Sequence, residues 1–68
     1  MKPVSGKRMC RILKKRGWTL IRIKSSHHAF RKSGKPNTVI VPVHGNKDLK
    51  SGTQHGIMKD AGLIDSDL

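Results

Sequence analysis

Apolar residues recur at helical spacing near the start of the chain, at Met9, Ile12 and Leu13. Ser5 precedes this stripe and is a suitable N-cap, and Gly17 supplies the left-handed residue that commonly ends a helix. The pattern therefore predicts a helix over residues 6 to 16. Trp18 follows in the position from which a Schellman motif packs an apolar side chain back onto the last helical turn.

Three runs rich in β-forming residues come next, each bounded by turn residues. We expect three antiparallel strands, over residues 19 to 24, 28 to 32 and 38 to 43. In the first strand, simple alternation predicts Ile21 and Ile23 on one face of the sheet. Leu20 and Arg22 are then expected on the other face. Pro42 cannot donate to a sheet ladder, so it marks a strand end or an edge.

A second helical pattern closes the chain, and its apolar positions are Ile57, Met58 and Ala61. Thr53 or Ser51 is expected to cap this helix, which we predict over residues 53 to 61. Gly62 ends the pattern, and Leu63 is expected to fold back onto Met58. Residues 64 to 68 are expected to fray.

The predicted order is helix, three strands, helix, which indicates an α+β protein. At 68 residues the chain has room for one domain, spanning residues 1 to 68. Both helices are most economically placed on one face of the three-stranded antiparallel sheet, as in double-stranded RNA-binding domains. The other face of the sheet is then free for function.

Charge is distributed very unevenly along the chain. Residues 1 to 47 contain 13 Lys or Arg and no acid, whereas residues 48 to 68 contain two bases and four acids. A net charge of +11 favours nucleic acid as a partner, with a lipid surface ranked well below it. No apolar run approaches the length of a membrane span and no signal-peptide core follows the basic start, so we expect a soluble cytoplasmic protein.

The lone cysteine, Cys10, cannot form an internal disulfide, and we expect a reduced thiol. The four histidines show no metal-ligand spacing, because His27 and His28 are adjacent in sequence and His44 and His55 are isolated. No phosphate-binding glycine loop is present either. We therefore predict no metal and no cofactor.

His27 is the principal candidate for chemistry, because it lies at a strand edge in the run Lys24-Ser25-Ser26-His27-His28 among cations. A neutral imidazole there can take a proton from an RNA 2′-hydroxyl at neutral pH. A surface or capping histidine is the plainer interpretation. His28 is expected to be a packing residue, His44 a turn residue and His55 a solvated helix residue. Trp18 is expected to pack rather than to stack on bases.

Several segments together resemble the HicA family of mRNA interferase toxins. They are Ser5-Gly6-Lys7, Arg16-Gly17-Trp18, Lys24-Ser25-Ser26-His27-His28, Lys35-Pro36, Val41-Pro42-Val43-His44-Gly45-Asn46-Lys47-Asp48-Leu49-Lys50, Gly52-Thr53 and Ile57-Met58-Lys59-Asp60-Ala61-Gly62-Leu63. The resemblance covers nearly the whole chain. It implies a metal-independent endoribonuclease acting on mRNA, with His27 as the catalytic residue. It also implies a type II toxin-antitoxin system in which a HicB-like antitoxin blocks the toxin.

The candidate RNA-binding residues are Arg22, Lys24, Ser26, Lys47 and Lys50. Of these, Arg22, Lys24 and Lys47 are also candidates for supplying positive charge to a phosphodiester transition state. Three residues depart from the family's pattern. Ser25 replaces the motif's usual glycine, and Gln54 and Gly56 replace residues that are usually apolar or better helix formers. We expect these departures to affect stability more than chemistry.

Two other functions are compatible with the same charge. A noncatalytic double-stranded RNA-binding module would use lysines before the second helix, such as Lys47 and Lys50, to bind phosphates. The start of that helix, Gly52-Thr53-Gln54-His55, lacks a lysine cluster, which weakens this alternative. The basic surface is also a natural docking face for an acidic protein, and this role is compatible with inhibition by an antitoxin.

Overall fold

The computed structural model describes residues 1 to 68. Its elements are helix α1 (Gly6–Lys15), strands β1 (Thr19–Lys24), β2 (His27–Arg31) and β3 (Val39–Pro42), helix α2 (Ser51–Ala61), and a short 3₁₀ helix (Asp65–Asp67). The strands form one antiparallel sheet in the order β1-β2-β3. The predicted α-β-β-β-α architecture is confirmed.

Both ends of α1 follow the predicted capping chemistry. The Ser5 hydroxyl accepts a hydrogen bond from the Arg8 N–H at 3.1 Å. At the other end Gly17 has a φ of 91°, and the Trp18 N–H donates to the Leu13 carbonyl at 2.9 Å. This is the Schellman bond, and it turns the Trp18 side chain into the core, where it is 3% exposed. Trp18 is therefore a packing residue.

Helix α2 ends as predicted but begins two residues earlier. Gly62 is left-handed, with a φ of 69°, and the Leu63 N–H donates to the Met58 carbonyl at 2.8 Å. The helix starts at Ser51 with Lys50 as N-cap, and no side chain caps it. The expected cap at Thr53 or Ser51 is wrong, because Ser51 is already the first helical residue and Thr53 lies inside the first turn.

A β-bulge in β1 changes which side chains share a face. Leu20 pairs with Phe30 while Arg22 pairs with Ala29, so Ile21 is the extra residue. The expected alternation is therefore wrong for this strand, because one additional residue reverses the side-chain direction. Leu20 and Ile23 lie on the side of α1.

Both helices pack on one face of the sheet and share one hydrophobic core. The fully buried apolar side chains come from α1, β2 and β3, and they are Met9, Leu13, Phe30 and Val41. Val39 lies beside them, and α2 contributes Ile57, Met58 and Ala61 to the same cluster. The opposite face of the sheet has no helix on it.

The residues before α1 are held against α2 by one buried polar side chain. Gln54 is fully buried, and its Oε1 accepts from the Val4 N–H at 3.1 Å while its Nε2 donates to the Lys2 carbonyl at 2.6 Å. A bridge pairs Ser5 with Asp48, and the Leu49 N–H donates to the Val4 carbonyl at 2.9 Å. Gln54 thus satisfies two backbone groups, and the expectation that it weakens the fold is corrected.

The end of the chain also packs back. Residues 64 to 68 were expected to fray, but they contain the 3₁₀ helix and lie against α1. Asp67 forms an ion pair with Arg16 at 2.5 Å, and the Leu68 carbonyl accepts from Arg8 at 3.0 Å. The basic outer side of α1 provides these contacts to an acidic segment. None of the helices is long and apolar enough to cross a membrane.

Candidate functional site

The β1–β2 hairpin places His27 directly across from Lys24. These two residues are register partners that flank the two-residue connection Ser25-Ser26. Ser25 has a φ of 55°, so the connection does require the left-handed conformation for which glycine is better suited. Ser25 adopts this conformation and the hairpin forms. His27 is exposed as the first residue of β2.

His27 and Lys24 belong to the open face of the sheet, which we define by the residues whose side chains alternate away from the helices. These residues are Arg22, Lys24, His27, Ala29, Arg31, Ile40 and Pro42. Three of them are cations and all three are exposed. The face contains no carboxylate, so it presents a positive surface around one imidazole.

Arg31 is a member of this face that is not among the site residues predicted from sequence. It lies four residues after His27 in the same strand, and Ala29 lies between them. Because alternate residues of a strand point to one side, this spacing was the available signal. The Arg31 guanidinium donates to the Thr38 hydroxyl at 3.3 Å, which holds it beside the start of β3.

His28 points to the helix side of the sheet. It pairs with Ile23 and Val41, and its ring Nδ1 lies 3.4 Å from the Ser26 carbonyl oxygen. It lines a shallow cavity with residues of α1, including Cys10. The two adjacent histidines therefore face opposite sides of the sheet and do not form a catalytic pair.

A second concave surface begins where the open face ends. This surface, the β3–α2 groove, has a volume of about 520 Å³ and is lined by Pro42, His44, Lys47, Asp48, Leu49, Lys50 and Thr53. Pro42 belongs to both surfaces, because it is the register partner of His27. Lys47 and Lys50 are thereby brought to the same end of the molecule as His27 and Lys24.

The predicted RNA-binding residues thus fall into two groups joined through Pro42. Arg22 and Lys24 lie on the open face, and Lys47 and Lys50 line the groove. Ser26 lies at the hairpin connection between them and is half-buried, and its carbonyl accepts from the Val43 N–H at 2.8 Å. This hydrogen bond extends the pairing of β2 and β3 past Pro42 and toward the groove.

The remaining titratable candidates lie away from this site. His55 is exposed on α2 beside Met58 and Lys59, in a different concavity. No group of three or more His, Cys, Asp and Glu side chains is placed to hold a metal ion. Burial raises the pKa of the Cys10 thiol, with a smaller opposing effect from Lys14, so this cysteine is an inert packing residue.

The architecture places the chain among small α+β proteins with the topology of double-stranded RNA-binding domains. A comparison with protein-family models finds the HicA toxin of bacterial toxin-antitoxin systems, matched over residues 6–63. The chain belongs to the HicA toxin family. It is accordingly a toxin of a toxin-antitoxin system, with an antitoxin as its partner. A comparison with curated proteins gives no match.

Proposed function

We propose that this toxin is a metal-independent endoribonuclease that cleaves mRNA, with His27 as its catalytic residue. The observation that carries the proposal is the position of His27, exposed on an open basic face and directly opposite Lys24. Membership of a family of ribonuclease toxins supports it.

The chemistry starts from a neutral His27 ring, which takes the proton of an RNA 2′-hydroxyl. The resulting oxygen attacks the adjacent phosphorus, and the expected product carries a 2′,3′-cyclic phosphate. Positive charge from Lys24 and Arg22 stabilises the developing negative charge on the phosphate oxygens. Lys47 and Lys50 bind flanking phosphates from the groove, and Ser26 contacts RNA from the hairpin connection.

The antitoxin partner is proposed to be HicB-like and to act on this same surface. A basic face without carboxylates attracts an acidic protein for the same electrostatic reason that it attracts RNA. Covering the open face removes His27 and Lys24 from RNA at once. Competition between purified antitoxin and labelled RNA for the toxin tests this point, since antitoxin docking elsewhere would leave RNA binding intact.

The first experiment is cleavage of labelled single-stranded RNA in EDTA by the parent chain and by His27→Ala. We expect the parent to cut and the variant to bind RNA without cutting, because His27 is exposed and its loss leaves the core unchanged. His55→Ala is the matched control, since it removes an exposed histidine outside the site. It should cut like the parent.

Three outcomes would contradict the proposal. Equal cleavage by the parent and by His27→Ala would remove His27 from the chemistry. If neither protein cuts but both bind duplex RNA, the chain is a noncatalytic double-stranded RNA-binding module. Cleavage by the parent that EDTA abolishes would overturn metal independence.

A further inference from the structure

The open face lacks an obvious proton donor for the departing RNA oxygen. Cleavage by 2′-hydroxyl attack needs one group to remove a proton and another to supply one. The nearest cross-strand partners of His27 are Lys24 and Pro42, and no carboxylate belongs to the face. A second imidazole close to His27 would complete the pair.

His44 occupies such a position. Pro42 is the register partner of His27, and the Val43 N–H still donates to the Ser26 carbonyl at 2.8 Å, so the chain remains paired beyond β3. Val43 packs toward α1 in the cavity that contains His28, whereas Pro42 and His44 line the β3–α2 groove. The side chains of Pro42 and His44 therefore project to the same side, as alternation requires.

β3 ends at Pro42, and continuing its register by two residues puts His44 at a diagonal position to His27. Diagonal positions in an antiparallel pair are separated by about 7–8 Å, which long and aromatic side chains can span. Both histidines are exposed. A phosphate placed between two rings at this separation has one oxygen within reach of each ring.

The two histidines divide the roles because His27 is the proposed base, which leaves proton donation to His44. His27 faces Lys24 across the hairpin. His44 shares its groove with Asp48, the one carboxylate among the lining residues. Lys47 and Lys50 line the same groove.

We propose that His44 is a second catalytic residue, which donates a proton to the leaving oxygen; this inference rests on the proposed ribonuclease activity. His27 takes the proton from the 2′-oxygen, which forms a bond to phosphorus as the bond from phosphorus to the 5′-oxygen breaks. The proton of His44 goes to that 5′-oxygen. The products are a 2′,3′-cyclic phosphate and a 5′-hydroxyl, and solvent restores both histidines to their starting protonation states.

The test compares two RNA substrates that differ in one atom. One is ordinary RNA, and the other has sulfur in place of the bridging 5′-oxygen at a bond that the parent cuts. A thiolate departs without needing a proton. We expect His44→Ala to lose about 10²–10⁴-fold in rate on ordinary RNA and to approach the parent rate on the sulfur substrate. His27→Ala should remain impaired on both substrates, and His55→Ala should match the parent on both.

Each other outcome has a distinct meaning. Equal loss by His44→Ala on both substrates would show a binding role and overturn the proposal, while leaving His27 in place. If the sulfur substrate restored the cleavage rate of His27→Ala and not that of His44→Ala, the two roles would be reversed and the proposal would also be overturned. If the parent cuts neither substrate, the ribonuclease proposal itself fails.

Discussion

The backbone of Gly6 lies so close to the carbonyl oxygen of Pro42 that an added Cβ would overlap that oxygen. Gly6 begins α1, and Pro42 ends β3 opposite His27. The contact joins the N-terminal end of the first helix to the strand end from which the open face and the β3–α2 groove both start. A methyl group has no room there unless the backbone moves.

Gly6→Ala is therefore expected to destabilise the protein by about 1–3 kcal/mol, the usual cost of overpacking. Chemical denaturation measures this change. The matched control is Gly56→Ala, because Gly56 lies inside α2 and an added Cβ meets nothing within 4 Å. That control should be stabilised by about 1 kcal/mol through higher helix propensity. Equal stability of the Gly6 variant and the parent would contradict the close approach.

Ser25→Gly is expected to stabilise the hairpin. Ser25 has a φ of 55°, a conformation that is strained for a residue with a Cβ. Glycine removes this strain but increases the conformational entropy of the unfolded chain. We expect the first effect to be larger, with a net stabilisation of about 0.5–1 kcal/mol. Thermal or denaturant unfolding measures it. Ser25→Ala keeps the Cβ and should show no gain, which separates backbone strain from loss of the hydroxyl. A gain for alanine equal to that for glycine would refute the strain argument.

Lys24→Gln is expected to weaken RNA binding and its salt dependence together. The logarithm of the binding constant falls linearly with the logarithm of the salt concentration, and the loss of one phosphate contact makes this slope shallower by about 0.7 for single-stranded RNA. Titrations of RNA at several salt concentrations measure the slope. Lys59→Gln removes the same charge from an exposed position on α2 and should leave the slope unchanged. Equal slopes for the parent and Lys24→Gln would place RNA off the open face.

Gln54→Leu is expected to destabilise the fold by about 1–3 kcal/mol, since it removes the partners of the Val4 N–H and the Lys2 carbonyl. Hydrogen exchange at the Val4 amide provides a local measurement and should accelerate. His55→Leu is a neighbouring control in α2 whose side chain is exposed. Unchanged exchange at Val4 in the Gln54 variant would show that the segment is held by other contacts.

Cys10 is expected to react slowly with alkylating reagents near pH 8. Burial raises the pKa of its thiol above the ordinary 9.0, with a smaller lowering by Lys14, so the thiolate is scarce. The unfolded chain loses this proton first, so the contribution of Cys10 to folding stability is constant below about pH 9 and is lost as the pH rises through the folded value. Alkylation rates in buffer and in denaturant measure the difference. Cys10→Ala should reduce the loss of folding stability at alkaline pH. Equal alkylation rates for the folded and the denatured protein would contradict the burial of Cys10.

Local chemistry explains why much of the fold was predictable from sequence. Gly17 and Gly62 each precede an apolar residue, and this pair of signals specifies a Schellman ending without reference to the rest of the chain. Both endings are present in the structure. The placement of His27 and Lys24 on one face follows equally from a two-residue hairpin, in which the residues on either side of the connection face each other.

The features that sequence did not predict depend on distant residues. The bulge at Ile21 is a property of the pairing between β1 and β2, so alternation within β1 alone misassigned Leu20 and Ile23. Gln54 is buried because residues 50 positions earlier supply its partners. Position in the sequence indicated only a turn residue at His44, and its place in the β3–α2 groove with Pro42, the register partner of His27, depends on the fold.

The segment from His44 to Leu49 is closed at both ends by backbone hydrogen bonds. The Lys47 N–H donates to the His44 carbonyl at 3.0 Å, and the Leu49 N–H is held by Val4 at 2.9 Å. Its main chain is therefore ordered before any ligand arrives, and the entropy of arranging this loop is lost during folding. Binding of RNA, the substrate proposed above, would then have only the exposed ends of long side chains left to immobilise.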